Sequence, residues 1–413
     1  MKSHRGIVYI QSNIPAANAN SILAYRADAE GNLTALAGGP FPTGGAGVST
    51  TIPRAELPHF GPLDFDQSLI ADPSHTRLFA VNPGSDTIAV FDILPDGSVA
   101  SVPGSPFPSN GKNPVSLGLA GDKLYVVNKN EDPSRDMTKS LPNYTGFRIA
   151  PDGRLTPIPD STVELFTPTR SPTQALVVKD RLLFDADFGG FPLAPRVAMW
   201  GESLKADTLS SIRSFRIQAD GRLVQSSELA APIDEFEGGI DADDDGRPDP
   251  LMFGLQAHPT EKLIYIGYVT SARMGVYSYD DMGHLTFLRA VPNKGVLICW
   301  ILVNKSGTHA YTTNNGDNSV SVYDLSDPTT PAEIQWLHLR GDGHPYQLAL
   351  DSAGQFLYVV KHRTFPDTPV GEGSILNVLR VNHDGTLSEV ESSPLKLPVP
   401  ADPFARPMGA VAL

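Results

Sequence analysis

The chain has one cysteine, no long apolar run and fewer basic than acidic residues. Because Cys299 is alone, no internal disulfide is possible, and we expect a reduced compartment and a buried thiol. No segment reaches the ~20 apolar residues of a membrane span, so no membrane association is expected. The 32 Lys and Arg against 46 Asp and Glu give a net charge of −14, which would repel nucleic acid.

The first residues contain no secretory leader that we can recognise. Residues 1–6 run directly into the strand-like segment 7–10, without an apolar core and a small-residue cleavage site. This predicts a cytoplasmic protein, or an exported one from which a leader has been removed. We expect no organic cofactor.

A repeated strand pattern sets the fold. Glycine and proline number 37 each and are spread along the chain, while amphipathic helical periodicity is nearly absent, as expected for many short strands joined by tight turns. The clearest repeat is an alternating strand that leads into a turn, usually Asp-Gly. Its seven copies lie at 21–33, 87–97, 144–153, 211–221, 273–283, 319–324 and 374–385.

The strand before that one also recurs, for example at 77–82 and 123–128, and its first copy is at 6–12. The innermost strand is missing before that first copy, and segment 406–413 at the end of the chain resembles it. We therefore predict an all-β fold: a seven-bladed β-propeller of four-stranded antiparallel blades, closed by pairing of the N- and C-terminal strands. Residues 1–413 would form a single propeller domain.

Three phrases resemble a known family: Leu-Tyr-Val-Val-Asn at 124–128, Val-Phe-Asp-Ile at 90–93 with Asp-Gly at 96–97, and Gly-Ser-Pro-Phe at 104–107. They are similar to the lactonase family of seven-bladed propellers, which contains the propeller-type 6-phosphogluconolactonases and carboxymuconate lactonizing enzymes. They also resemble the YVTN-type repeats of surface-layer propellers. The resemblance implies a lactone hydrolase or a lactonizing isomerase or lyase. The matching segments are typical of β-strands and turns, however, and contain no catalytic group.

In a propeller, the starts of the innermost strands face one end of the central channel, here called the funnel. We predict that five blades open this strand with a residue followed by proline, because proline suits a strand's first position. The loops after the second strands would enter the same funnel. The opening residues are Asn113, Ser171, Asp249, His344 and Arg406, and the loops add Asn82, Asn128, Lys129, Asp187, Asn314, Asn315, Lys361 and His362.

This polar set suits a small anionic or polyhydroxylated molecule. Arg406 and Lys361 would hold a carboxylate or polarise a lactone carbonyl, and His344 or His362 would act as general base. The alternative is that these strand ends only bind channel water. The residues that we assign to substrate binding are Asn113, Asn128, Lys129, Asp187, Arg196 and Asn314.

The family places a histidine directly after the proline of inner strands, and this chain departs from that pattern. No catalytic histidine is therefore carried over from the family, and His344 precedes its proline instead. The residues after the five prolines are Val115, Thr173, Leu251, Tyr346 and Met408.

Two insertions interrupt the repeats, at about 38–62 and 188–209. The first contains Arg54, Glu56 and His59, and we expect a lid over the funnel. The second contains Arg196, Trp200 and Glu202, which suits either a ligand clamp or a loop packed on the rim or against a second subunit.

An aspartate-rich loop predicts a calcium site. Asp241, Asp243, Asp245 and Asp249 occupy positions one, three, five and nine, with Gly246 at six, as in the first part of an EF-hand loop. The twelfth position is Met252 rather than glutamate, so the loop resembles the shorter calcium loops of thrombospondin-type repeats. Calcium would clamp the loop between the third and fourth blades that follow the N-terminal one. The alternative is a solvated acidic turn.

Three functions remain open at this point. The first is a lactonase-like enzyme that acts on a small anionic lactone or unsaturated acid in the funnel. The second is a non-catalytic propeller that binds a small ligand or a partner protein on its upper rim. The third places the chemistry on a metal held by the aspartate loop or the histidines. The sequence leaves the substrate, the choice between hydrolysis, isomerisation and elimination, and the oligomeric state undetermined.

Overall fold

The computed structural model describes residues 6–48, 66–132, 135, 140–165, 170–188, 210–236, 246, 248–364, 368–401 and 405–413. These residues form seven antiparallel sheets, one for each predicted repeat. In every sheet, most residues of the second and third strands are buried, and many of them are aliphatic or aromatic.

The first three blades follow the chain. Blade 1 contains β1 (Gly6–Gln11), β2 (Ser21–Ala27), β3 (Leu33–Ala35) and β4 (Phe41–Pro42). Blade 2 contains β5 (Leu69–Ala71), β6 (Arg77–Asn82), β7 (Thr87–Ile93), β8 (Val99–Ser101) and β9 (Phe107–Pro108). Blade 3 contains β10 (Pro114–Ala120), β11 (Lys123–Asn128), β12 (Asn143–Ile149), β13 (Leu155–Pro157) and β14 (Val163–Glu164).

The other four blades complete the ring. Blade 4 contains β15 (Leu176–Val178), β16 (Leu182–Asp187), β17 (Ser211–Ile217) and β18 (Leu223–Ala230); blade 5 contains β19 (Met252–Ala257), β20 (Leu263–Tyr268), β21 (Arg273–Tyr279) and β22 (Leu285–Pro292). Blade 6 contains β23 (Ile298–Val303), β24 (His309–Asn314), β25 (Ser319–Asp324) and β26 (Ala332–His338). Blade 7 contains β27 (His344–Leu350), β28 (Phe356–His362), β29 (Ile375–Val381), β30 (Leu387–Glu389) and β31 (Leu395–Lys396), and β32 (Met408–Ala412) returns to blade 1.

The two chain ends close the ring as predicted. Strand β32 pairs antiparallel with β1, with Val8 opposite Ala412 and Tyr9 opposite Val411. Closure leaves no blade with a bare inner edge, which protects the sheets from pairing with another chain.

The outer strands differ from the four-stranded expectation in four blades. In blades 1, 2, 3 and 7 the outer strand is interrupted, and two short pieces pair with the same third strand, so that each sheet has five strands. In blade 2, the interruption contains the turn at Gly104, which has a φ of +86°. Blades 4, 5 and 6 have one continuous outer strand.

Tyrosines of the second strands tie consecutive blades together. The hydroxyl of Tyr9 in blade 1 donates to the carbonyl of Gly97 in blade 2 at 2.7 Å, and Tyr125 in blade 3 donates to Gly221 in blade 4 at 2.8 Å. The acceptors are glycines of the repeated Asp-Gly turns, so the two most regular features of the sequence meet at the blade interfaces.

Regular helix is confined to two short 3₁₀ turns, Ile233–Glu235 and Val269–Ser271, within the described part of the chain. None of the described helices has the length and apolar character needed to cross a membrane. The thiol of Cys299 is buried, as expected, and lies 3.2 Å from the Leu297 carbonyl oxygen.

Candidate functional site

Three inner strands begin in the same register at the funnel, and a fourth is preceded by a similar residue–proline pair. Pro114 is opposite Asn128, Pro172 is opposite Asp187, and Pro345 is opposite Lys361. Asn128, Asp187 and Lys361 each lie on the second strand of their blade. Each is the last residue of that strand that is paired with the third strand. Arg406 precedes Pro407 immediately before β32. The residues before the four prolines are all buried, with exposed fractions of 0% for Asn113, 2% for Ser171, 5% for His344 and 2% for Arg406.

Blade 5 does not follow this register, and the prediction that Asp249 opens its inner strand is wrong. Strand β19 begins at Met252, two residues after Pro250. The amide of Val269 donates to the carbonyl of Leu251, as the amide of Lys129 donates to Asn113 in blade 3. Leu251 therefore takes the position of Asn113, and Asp249 receives a hydrogen bond from Thr270 on its backbone carbonyl.

His362, His344 and Arg406 come together where blades 7 and 1 meet. His344 is opposite His362 at the funnel end of β27 and β28. Burial lowers the pKa of His362 well below 6.5, and Arg406 and His344 lie close enough to lower it further by charge repulsion. The imidazole is therefore neutral at pH 7.

The two ring nitrogens of His362 have different surroundings. Nδ1 lies 3.4 Å from the carbonyl oxygen of Pro407, and because a carbonyl only accepts, Nδ1 carries the proton. Nε2 then holds the lone pair. It is buried and has no hydrogen-bond partner among the described residues. His362 thus presents an unused base in a site that holds a guanidinium.

His344 has the opposite arrangement. Its Nδ1 accepts a hydrogen bond from the backbone amide of Thr364 at 3.2 Å, so in the neutral ring Nε2 carries the proton. Asn315 fixes this segment by donating to the Thr364 hydroxyl at 3.2 Å and to the Pro345 carbonyl at 3.0 Å. His344 is therefore set to donate a hydrogen bond through Nε2.

An aromatic row lies beneath the polar residues. The rings of Tyr346 and Trp300 are 3.8 Å apart between centroids, and Trp300 contacts Phe253 at 4.6 Å. Phe253 in turn lies 6.0 Å from Phe188. These rings form an apolar floor that reaches from blade 4 to blade 7.

Lys361 lies apart from the histidine cluster. Neighbouring residues of a strand point to opposite sides, so Lys361 and His362 face different ways. The ammonium of Lys361 donates to the carbonyl of Gly341 at 2.7 Å and to that of Arg340 at 3.3 Å. Burial lowers its pKa to about 8. The structure thus gives Lys361 the role of holding the loop before β27.

Asn128 and Asn314 occupy the register of Lys361 in blades 3 and 6 and hold turns in the same way. The side-chain amide of Asn128 donates to Asn143 Oδ1 at 2.9 Å and to the Ser109 carbonyl at 3.2 Å. That of Asn314 donates to the Ser319 hydroxyl at 2.8 Å. These bonds hold the start of the third strand of the same blade and, for Asn128, also the connection from blade 2 at Ser109.

Asp187 belongs to a buried ionic network of blades 3 and 4. It forms an ion pair with Arg213, which also lies 3.2 Å from Asp185 and 3.1 Å from the Tyr144 hydroxyl. Burial would raise the pKa of Asp187, but the guanidinium outweighs this effect and lowers it. For Asp185, burial dominates and raises the pKa to about 7. Asp187 also accepts from the Ser171 amide at 2.8 Å, so it fixes the strand start.

Asn113 and Lys129 are together at the blade 3 side of the funnel. Lys129 Nζ lies 3.3 Å from Glu131 Oε2, and both side chains are at most 2% exposed. The Glu131 amide donates to Asn113 Oδ1 at 3.2 Å. The ammonium also lies 6.0 Å from the ring of Phe188. A buried lysine with its own carboxylate adds little net charge to the funnel.

The first insertion reaches the centre of the ring in its described part. Val48 is fully buried within the central apolar cluster, and its amide donates to Asn13 Oδ1 at 3.1 Å. A lid over the funnel remains a prediction, because Arg54, Glu56 and His59 lie outside the described residues.

After Phe188, the second insertion lies outside the described residues up to 209, and so does most of the aspartate loop. They include Arg196, Trp200 and Glu202, and the loop residues Asp241, Asp243 and Asp245. Among the residues that are described, no group of three or more His, Cys, Asp or Glu side chains is arranged to hold a metal ion. The calcium site stays a prediction.

Sequence reasoning missed two residues on the propeller axis. The Asp66 amide donates to the Thr173 carbonyl in blade 4 at 3.1 Å, and the Leu117 amide of blade 3 donates to the Gln67 carbonyl at 3.0 Å. A signal exists: Asp66 is three residues before Leu69, as Pro114 is three residues before Leu117, so it replaces the proline of other inner strands.

No family model matches the chain, and no curated protein matches it by sequence. Solved structures do match it along its length. A proposed 6-phosphogluconolactonase of Bacteroides uniformis has 15% identity and a TM-score of 0.67, covering 100% of both chains. The periplasmic gluconolactonase of Pseudomonas aeruginosa has 14% identity and a TM-score of 0.67, covering 98% of this chain and 99% of its own.

A third similar structure is a hypothetical selenium-binding protein of Sulfolobus tokodaii, with 13% identity and a TM-score of 0.61, covering 99% of this chain and 94% of its own. At such identities the likeness shows the fold alone. The resemblance to lactonase-family propellers is thus confirmed at the level of the seven-bladed architecture.

Proposed function

We propose that the protein is a lactone hydrolase of the propeller type, with its reaction centre at His362, His344 and Arg406. The observation that carries this proposal is the buried Nε2 of His362, which holds a lone pair and has no hydrogen-bond partner in the described chain. A buried polar atom left without a partner costs free energy, so it is best explained by a group that binds there.

The base role goes to His362 rather than His344. His344 already accepts a hydrogen bond on Nδ1 and is set to donate through Nε2. His362 Nε2 would take a proton from water as the water oxygen attacks the lactone carbonyl carbon. The N–H of His344 and the Arg406 guanidinium would stabilise the oxyanion that forms. When the ring C–O bond breaks, the leaving ring oxygen takes the proton back from His362.

The surroundings favour a small anionic substrate. Arg406 is 2% exposed, and a guanidinium in such a site binds a carboxylate strongly, because little water competes for it. The face of a lactone ring would lie against Tyr346 and Trp300, whose rings form the apolar floor. Lys361 takes no part, since its ammonium is bound to backbone carbonyls.

The proposal is tested by hydrolysis of a lactone panel by the wild type and by His362→Gln. The panel holds neutral gluconolactone, its 6-phosphate and carboxylate-bearing muconolactone. Glutamine has a similar size but cannot act as a base, so turnover should fall about 100-fold or more while the melting temperature changes little. His284→Gln is the matched control, because His284 is exposed and bonded only to Asp280 in the described part of its turn. Full activity of His362→Gln, or no hydrolysis of any lactone by the wild type, would overturn the assignment.

A further inference from the structure

A second cavity lies on the propeller axis, below the aromatic floor. We call it the axial cavity. It has a volume of about 390 Å³, and inner strands of all seven blades line it. It extends to Ala71, Leu119, Val177 and Leu302, near the far ends of their strands, so it is reached from the face opposite the funnel. Its size falls within the range of small-molecule sites.

The lining of the axial cavity contains one ionisable residue, Asp66, among the described residues. The Asp66 carboxylate receives one hydrogen bond from described residues, from the Gln67 amide at 2.7 Å. No cationic side chain of the described chain pairs with it. Burial raises the pKa of Asp66 to about 7, although the hydrogen bond from the Gln67 amide acts in the opposite direction. The carboxylate therefore faces the axial cavity with acceptor capacity left over.

The amides around Asp66 are mostly occupied by the fold. Gln174 donates to Gln67 Oε1 at 2.8 Å and to the Leu255 carbonyl at 2.9 Å, and its own oxygen accepts from the Leu255 amide at 2.8 Å. Gln347 accepts from the Gly409 amide. With these oxygens engaged, few oxygen ligands remain in the cavity for calcium, which takes six to eight.

The other walls suit an organic body. Leu69, Val177 and Leu348 contribute aliphatic residues to the lining, and Trp300 lines the same space. A carboxylate beside an aromatic ring and aliphatic walls is the combination that binds an ammonium group with an apolar tail.

We propose that the axial cavity binds a small organic ammonium ion, with its charged group on Asp66 and its apolar part against Trp300 and the aliphatic walls. The ammonium would place a positive charge beside Asp66, with which no cationic side chain of the described chain pairs. This site lies on the opposite side of the aromatic floor from His362, and it does not depend on the proposed hydrolase.

The test is calorimetric titration of the full chain with n-butylammonium chloride at pH 6 and pH 8. We expect one site, with tighter binding at pH 8 because more Asp66 is ionised. n-Butanol, which lacks the charge, should bind at least about tenfold more weakly, and potassium chloride should not compete. Equal binding of butanol, or displacement by potassium at matched ionic strength, would overturn the proposal.

Two variants make the site specific. Asp66→Asn should weaken butylammonium binding about tenfold or more, while the exposed Asp152→Asn should leave it unchanged. Ala410→Leu keeps the carboxylate and adds bulk at a residue that lines the cavity, so it should weaken binding even if Asp66→Asn folds poorly. His362→Gln should bind butylammonium as the wild type does. Unchanged binding in Ala410→Leu would place the ligand elsewhere and contradict the proposal.

Discussion

The imidazole of His362 lies against the ring of Tyr346, with centroids 3.8 Å apart and the planes at 43°. Tyr346 thereby excludes water from His362, and burial is the main cause of its lowered pKa. Tyr346→Leu should admit water and raise that pKa, so the acid limb of kcat/KM against pH should move to higher pH.

The control for this substitution is Tyr277→Leu, which removes a buried tyrosine of blade 5 from a different apolar cluster. Both variants should lose about 2–4 kcal/mol in the free energy of unfolding, but only Tyr346→Leu should move the acid limb. An unmoved limb in an active Tyr346→Leu would show that the stacking does not control the base.

Gly409 allows β32 to approach blade 2. Its φ is +72°, and a Cβ there would lie 2.6 Å from Ser68 Oγ and 2.8 Å from Leu69 Cβ. Gly409→Ala should therefore lower the free energy of unfolding by about 3 kcal/mol, measured by urea denaturation. Gly354 has a φ of +68°, and a Cβ at that position would have no other atom within 4 Å, so Gly354→Ala should cost only about 1 kcal/mol. Equal losses of unfolding free energy in the two variants would mean that β32 and blade 2 have room for a Cβ at position 409.

Arg213 forms ion pairs with two buried carboxylates, Asp185 and Asp187. Arg213→Met leaves these carboxylates buried without their cation, and we expect a loss of about 3–5 kcal/mol in the free energy of unfolding at pH 8. Arg222→Met removes an exposed pair with Asp220 and should change the free energy of unfolding much less. A small loss for Arg213→Met would show that water or another cation replaces the guanidinium.

Asp66 should make the stability of the propeller depend on pH. Its folded pKa is about 7, raised from 3.8 by burial, so the folded state binds its proton more tightly than the unfolded state does. The stabilisation is complete below pH ~4 and is lost as pH rises through about 7. Relative to Asp66→Asn, the wild type should lose stability between these values and not above them. A constant difference from pH 4 to 8 would contradict the raised pKa.

The blades and their closure could be predicted from the sequence because each repeat carries its own alternation and turn. Tyr9 and Gly97 are far apart in the chain, but each recurs in other repeats, so their strands could be placed without knowing that they touch. The interrupted outer strands could not be predicted, because a turn such as that at Gly104 breaks the pairing without changing the strand order.

The funnel could be predicted only in part. A residue before proline identified His344 and Arg406, since proline marks the first position of the inner strand. The same rule failed at Asp249, because Pro250 lies two residues before β19. Lys361 and His362 are adjacent in sequence but face opposite sides, and which side meets the funnel depends on the register of β28 with β27. Asp66 follows an insertion, and only its spacing of three residues before Leu69 indicates that it lies on the axis.

The pH dependence of kcat/KM tests the central claim most directly, measured on the lactone that the wild type hydrolyses best. If neutral His362 is the base, kcat/KM should fall at acid pH with an apparent pKa well below 6.5. That value is the pKa of His362 in the free enzyme. Lys361→Met, which removes a group with a pKa of about 8, should leave this acid limb in place, and the residual activity of His362→Gln should lack it. An acid limb that persists unchanged in His362→Gln would contradict the account.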